Sequence, residues 1–499
     1  MSAAHSEPDL DLGQVRDWNL DPWQWRLTDP QSDLAAAAGA PVGPLRLRVG
    51  PDIVAAPVFE AGGAQVGWVL GFPVDLDDKR LVTDALRLTI PLGPDPDSFA
   101  EDVLTRIGGR FLLIMNAGGK RRIYLDSGGQ VPCVFDPAMQ AAASTAHALL
   151  TDAEYDRRFN AERFDTLGVA NYGWFPAGLT AHDGVERLLA HHYLDLDSWT
   201  VHRHWPLRGF PQTTDPDAEI EKIIAKVRDQ LEAFVAGDKK VGLALTAGHE
   251  TRMLLGIARP FRSQVCCLTV VGSDRHSTDS IIARRIARAE NLEHVELPRV
   301  MSTEAAREVF IRRSGHCVVD SNSLYFPSVH PIARSHVFLG GLGGELGRAF
   351  LWRDSDTPST KITADLLMSR LGLPEEPELK ARLSRWLDDV PTDNALEILD
   401  LAYIEQRMCP WSSAQFYSDP TLVRQAPLFT RDIADAMLSL PGEWKRGKLM
   451  SRASIRRTWP ELERFPFNSL GKIRSAVAKL QRVAGEPRLI LRFLRKRMG

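Results

Sequence analysis

Four residues within six positions carry the most explicit chemistry in this chain: Thr246, Gly248, Glu250 and Thr251. They follow an apolar run, Val241–Leu245, that reads as a buried strand. They lead into an apolar-periodic helix expected to start near Glu250 and to cover Thr251–Arg259. A strand, a tight turn and a helix N-terminus leave free backbone N–H groups and the positive end of the helix dipole facing the turn, which is an anion cradle. The small residues Ala247 and Gly248 let a phosphate oxygen come close to the backbone. Glu250 by itself reads as a first-turn acid favoured by the dipole. His249 reads as a surface turn residue. No Gly-Lys-Ser/Thr follows, so this is not the Walker loop.

Two further clusters have residues of the same kind. Leu339-Gly340-Gly341-Leu342-Gly343-Gly344-Glu345-Leu346-Gly347-Arg348 sets a glycine run before an acid, a ligand loop or a helix cap. Ser277-Thr278-Asp279 opens a helix, with Asp279 either a ligand or a helix-starting acid. Arg348 and Arg452 read as surface ion-pair partners or as phosphate clamps. His316, His330 and His336 are scattered and indicate no metal site.

The elements that must position these residues alternate in type. The expected order is helix Ile220–Phe234, strand Val241–Leu245, helix Thr251–Arg259, strand Val265–Val271, helix Thr278–Ala289 and strand His294–Leu297. Such alternation builds a doubly wound parallel sheet. Residues 1–205 instead show short apolar runs between turns, among them Val66–Phe72, Phe111–Met115, Ile123–Leu125 and Val131–Phe135, and read as β-rich. A Pro/Thr/Asp-rich stretch, 206–217, reads as a linker. Residues after about Lys361 read as amphipathic helices. The 470–499 tail carries nine Lys/Arg against one acid on a helical apolar stripe. It reads either as a terminal helix docked on its own domain or as an anchor on anionic lipid or an acidic partner.

Composition narrows the class. With 499 residues, 44% hydrophobic and 25% charged, there is room for two or three globular domains. A net charge of −3 singles out no partner and gives no reason to expect nucleic acid. Five scattered cysteines without a CxxC pair argue for a reducing compartment and against structural zinc. The polar N-terminus and the lack of a long apolar run make a cytoplasmic protein the expectation.

The loop 246–251 resembles the pyrophosphate loop of the asparagine synthetase family, Ser-Gly-Gly-x-Asp-Ser, without a gap. The likeness continues in order along nearly the whole chain. Ile107-Gly108-Gly109-Arg110-Phe111 is similar to the family's Leu-x-Gly-x-Phe strand. Ala143-Ser144-Thr145-Ala146-His147-Ala148-Leu149 is similar to Ala-Ser-Glu-x-Lys-Ala-Leu. Ser277-Thr278-Asp279 stands for Ser-Pro-Asp, and Gly340–Glu345 for Ser-Gly-Glu-Gly-x-Asp-Glu, one residue shorter. Glu405-Gln406-Arg407 with Pro427-Leu428-Phe429, then Arg446-Gly447-Lys448 and Arg452, resemble the C-terminal blocks.

The resemblance implies an α/β protein. Residues 1–205 would be a degenerate glutaminase, an Ntn-type αββα sandwich. Residues 218–469 would be a doubly wound ATP-pyrophosphatase domain of the adenine nucleotide alpha hydrolase kind. It implies ATP and Mg²⁺, with Glu250 and Glu345 on the metal. Ala244, Leu245, Thr246, Ala247, Gly248, Thr251, Val271 and Gly341 would contact the nucleotide, and Lys448, Arg452 and Arg252 would face the leaving pyrophosphate. The partners would be a small-molecule carboxylate and an amine, and a homodimer is compatible with it. Residue 2 is Ser where the family's glutaminase has Cys, so ammonia release from glutamine is not expected. Leu342 stands at the family's Glu and Gly344 at its Asp, so either an AMP-forming ligase or an inactive nucleotide-binding relative is expected.

Overall fold

The computed structural model describes residues 16–470 apart from 18, 33–38, 172, 273–276 and 419–420. Ser2 and nearly all of the basic tail lie outside the described residues. The fold is mixed α/β, organised on three sheets.

The first two sheets use the N-terminal strands. A six-stranded sheet, all its pairings antiparallel, centres on Ala141–Ala143, Trp25–Thr28 and Leu45–Val49. A second sheet centres on Lys120–Leu125, Ile107–Ala117 and Gln65–Asp75. Period-two alternation gives each strand two faces. Leu112, Ile114, Ile123 and Leu125 share a core with Trp25, Leu27 and Leu47 of the other sheet. Their alternates Phe111, Leu113, Met115 and Tyr124 pack with Phe99, Val103 and Leu104 of the helix Pro96–Arg106. On the far side, Val134, Ala141 and Ala143 meet Ala146, Leu149 and Tyr155 of two short helices.

The third sheet is wholly parallel. Its order is His294–Pro298, Val265–Val271, Lys240–Ala244, His336–Leu339, Val423–Gln425. In chain order these are its third, second, first, fourth and fifth strands. The direction of winding reverses between Lys240–Ala244 and His336–Leu339, a topological switch point where open parallel sheets hold ligands.

The strand Val265–Val271 and the helix Thr278–Ala289 have the expected bounds. The helix expected over Ile220–Phe234 runs Pro216–Ala236 and so begins inside the expected linker. Asp215 caps it by accepting the Ala218 N–H, and proline suits the first turn. The site helix runs His249–Ile257, with Gly248 at its N-cap and no side-chain cap. The strands His336–Leu339 and Val423–Gln425 were not expected; both are short, and the second contains Arg424. Among the described residues no helix is long and apolar enough to cross a membrane.

Two buried polar links tie the antiparallel sheets to the rest. Gln425 donates to the Phe72 carbonyl at 2.8 Å and accepts the Arg110 N–H at 3.0 Å. Glu405, fully buried in the π-helical stretch Tyr403–Met408, takes both arms of the Arg203 guanidinium at 2.8 and 2.9 Å. His191 and Trp386 complete its shell. Burial pushes the Glu405 pKa up, but the Arg203 charge and the bonds from His191 and Arg203 outweigh burial and hold it well below the carboxylate range.

Removing Arg203 leaves a buried carboxylate without its counter-charge, which costs about 3–5 kcal/mol. Arg203→Ala should therefore lower the unfolding free energy read from urea titration by that amount at neutral pH. Because the folded pKa is depressed, the Glu405 contribution is complete above the unfolded carboxylate value of about 4.3 and is lost as pH falls through the folded value. The variant should thus lose less stability on acidification than the parent chain, and parallel acid titrations would refute the assignment.

Candidate functional site

At the switch point two loops of small residues leave neighbouring strands side by side. Leu243 lies opposite Leu339, so Thr246–Gly248 and Gly340–Gly344 emerge together. A Cβ on Gly341 would stand 2.7 Å from Glu250 Cβ and 3.0 Å from the Thr251 nitrogen. A Cβ on Gly344 would stand 2.7 Å from Glu250 Cγ and 3.0 Å from Leu428 Cδ1. The glycine run is thus pressed on the first turn of the site helix, and at 344 there is no room for the acid that the resemblance calls for.

The first loop forms a small oxygen-lined cradle. A Cβ on Gly248 would lie 3.1 Å from Thr246 Oγ1, 3.6 Å from Glu250 Oε2 and 3.8 Å from Thr251 Oγ1. The two threonine hydroxyls are 2.8 Å apart, and the Gly248 N–H donates to Thr246 Oγ1 at 3.0 Å. Glycine keeps the centre of this group clear. The Ala247 N–H donates to Asp279 Oδ1 at 2.8 Å. Asp279 therefore ties the loop after the first strand to the helix after the second.

Two expectations are corrected here. Arg252, a candidate cation for pyrophosphate, is fully buried behind the loop, and its guanidinium donates to the carbonyls of Phe465, Pro466 and Ala247. Burial pushes its pKa down to about 10. It is a strut, because its donors are turned from any ligand. His249 is not a surface residue: it is 6% exposed, stacks on Phe467 at 4.2 Å and contacts Ser451 Oγ at 3.1 Å. Burial first, then the charges of Lys448, Arg452, Arg252 and Arg348, push its pKa down to about 4.

Glu250 and Glu345 are brought together, with Arg348 between them. Arg348 Nε is 2.8 Å from Glu250 Oε1, and its terminal NH2 donates to Glu345 Oε1 at 3.4 Å. Glu345 Oε2 accepts the Gly343 N–H at 3.0 Å. Burial, and then the Glu250 charge, push the Glu345 pKa up. Arg348 is thus an ion-pair partner as expected, but inside the site rather than on the surface. Among the described residues no group of three or more His, Cys, Asp or Glu could hold a metal. A magnesium ion needs no such group where one or two carboxylates and substrate phosphates complete its shell. The Glu250–Glu345 pair beside the Gly248 cradle fits that donor set.

The remaining residues lie around this centre or behind it. Lys448 and Arg452 are exposed at the start of the helix Leu449–Thr458, close enough for their charges to act on His249. Neither forms an ion pair among the described residues. Ala244 and Val271 end the first and second strands of the parallel sheet. Leu245 and Ala247 are buried and offer only backbone; the Leu245 carbonyl accepts from Thr269 Oγ1 at 2.7 Å. Thr269 in turn contacts His294 Nε2 at 2.9 Å.

Two contributors escaped sequence reasoning. The strap Phe465–Asn468 backs the loop: the Asn468 N–H donates to the Ala247 carbonyl, and the Arg252 guanidinium lies 3.9 Å over the Phe467 ring. No periodicity marks it. The bridging role of Arg348 had half a signal, its three-residue spacing from Glu345, but nothing local links it to Glu250.

No protein-family model matches the chain, and no curated protein matches it either. Among solved structures it is similar to the U34-tRNA thiolase NcsA from Methanococcus maripaludis with its [4Fe-4S] cluster. That match has 10% identity over 52% of this chain and 85% of the thiolase, with a TM-score of 0.20. It is also similar to the allosteric regulatory enzyme of purine biosynthesis, at 10% identity over 75% of this chain and 88% of that one, TM-score 0.20.

Gly344→Asp tests the packing of the two loops. The added Cβ meets the Glu250 stem and Leu428, so the melting temperature should fall, as overpacking costs about 1–3 kcal/mol. An unchanged melting temperature would show that the glycine run is not seated on the helix.

Proposed function

We propose that the chain is an ATP-dependent, AMP-forming ligase of the asparagine synthetase type that joins a carboxylate to ammonia or a substrate amine. The carrying observation is the oxygen-lined cradle at Gly248, set at the switch point of a parallel sheet beside a pair of acids. Anions favour such a helix N-terminus, and ligands favour such a crevice.

In this reading a substrate carboxylate oxygen attacks the α-phosphorus of ATP and pyrophosphate departs. The amine then attacks the acyl carbon and AMP departs. Thr246, Gly248 and Thr251 hold phosphate oxygens. Glu250 and Glu345 hold Mg²⁺, which would offset phosphate charge when bound. Lys448 and Arg452 face the departing pyrophosphate from the adjoining helix. The backbone at Ala244, Leu245, Val271 and Gly341 lines the place for adenine. Residues 1–205 then form a degenerate glutaminase-type Ntn layer, 206–217 a linker and 218–469 the ATP-pyrophosphatase domain.

A second reading, a nucleotide-binding or scaffolding protein without turnover, is favoured by one observation. Leu342 is apolar and Gly344 has no room for a side chain, so this loop supplies no general base at either position.

Release of pyrophosphate on incubation with ATP, Mg²⁺ and pools of carboxylates and amines decides between them. The ligase reading expects substrate-dependent pyrophosphate; bound ATP without turnover selects the scaffold. Glu250→Ala should abolish metal-dependent ATP binding in either case, and unchanged binding by calorimetry would remove Glu250 from the site.

A further inference from the structure

We propose that Arg348 is the resident counter-ion of the Glu250–Glu345 pair, and that a divalent cation enters only by displacing its guanidinium. Arg348 then sets how tightly the site holds metal. This rests on the reading of those acids as metal ligands.

The geometry of the contact is that of an exchangeable ion. Arg348 Nε is 2.8 Å from Glu250 Oε1, yet this nitrogen makes no hydrogen bond among the described residues. Its other contact, to Glu345 Oε1, is 3.4 Å long. Charge holds it there, without the paired directed bonds of a guanidinium–carboxylate fork. The structural arginines of this chain differ. Arg203 meets Glu405 at 2.8 and 2.9 Å, and Arg370 meets Asp356 at 2.6 and 2.7 Å. Their side chains are 4% and 6% exposed, against 27% for Arg348.

The surroundings allow the exchange. The Arg348 guanidinium lies 5.5 Å from the exposed ring of Phe350, an apolar surface over which it can swing towards water. The acids remain in place when it leaves. Glu345 is anchored by the Gly343 N–H, and the stem of Glu250 is wedged against Gly341 and Gly344. Two part-buried carboxylates without a cation are unfavourable, and that penalty becomes metal affinity once the guanidinium is gone.

The test is Mn²⁺ binding to the full-length, nucleotide-free protein, read by electron paramagnetic resonance. Arg348→Gln should bind Mn²⁺ about tenfold more tightly than the parent chain, within the usual range of coupling between linked sites. Arg348→Lys keeps the charge and should stay near the parent value. Glu345→Gln added to Arg348→Gln should remove the gain. The inference is overturned if Arg348→Gln binds no more tightly, or if the gain survives Glu345→Gln. Loss of the fold in Arg348→Gln, read by circular dichroism, would show a strut and also overturn it. ATP binding measured by calorimetry with Mg²⁺ present separates the two levels. Tighter Mn²⁺ with no ATP binding defeats the nucleotide reading and leaves Arg348 as assigned; ATP binding without tighter Mn²⁺ defeats only the role of Arg348.

Discussion

The site depends on the close approach of two backbones at the switch point of the parallel sheet. Gly341 and Gly344 let the loop after His336–Leu339 lie on the first turn of the helix His249–Ile257. A single methyl at either position would meet Glu250 at 2.7 Å. That contact sets Glu250 beside Glu345, gives Arg348 two acids to bridge and keeps the cradle at Gly248 beside them. It also leaves no room for a side chain at 344, where a Cβ would meet Glu250 and Leu428.

Around this contact the chain uses buried polar groups as struts rather than as reagents. Arg252 and the Phe465–Asn468 strap fix the Ala247 carbonyl from behind, while Asp279 fixes the Ala247 N–H from the side. The loop is therefore held at both of its peptide groups. Preorganisation of this kind removes the entropy cost of ordering a loop when an anion arrives. The same logic operates between the sheets, where Arg203–Glu405 and Gln425 cross-link distant parts of the chain. Each link buries charge or amide groups that are tolerated only when fully paired.

Periodicity made much of the parallel sheet legible. Val265–Val271 is apolar at every position but Thr269, Thr278–Ala289 is an amphipathic helix, and both have the expected bounds. The strands His336–Leu339 and Val423–Gln425 were not legible, because three or four residues carry too little pattern and only Val423 of the second is apolar. At the site, Thr246, Gly248, Glu250 and Thr251 were legible as a group because they are adjacent. The roles of His249 and Arg252 were not, because a histidine and an arginine on a first helical turn look solvent-facing until Phe467 and the strap cover them.

By itself the sequence determined the alternation of helices and strands from 220 to 297, and that a turn of small residues precedes a helix bearing an acid. Those are local properties, written in side-chain period and residue size. The tertiary structure decided which cations face the acids and which are struts. It also decided which strand neighbours Lys240–Ala244, and that the position at 344 has no room for a carboxylate. These follow from the sheet order and from close packing between segments far apart in the chain, and no local pattern of residues encodes either.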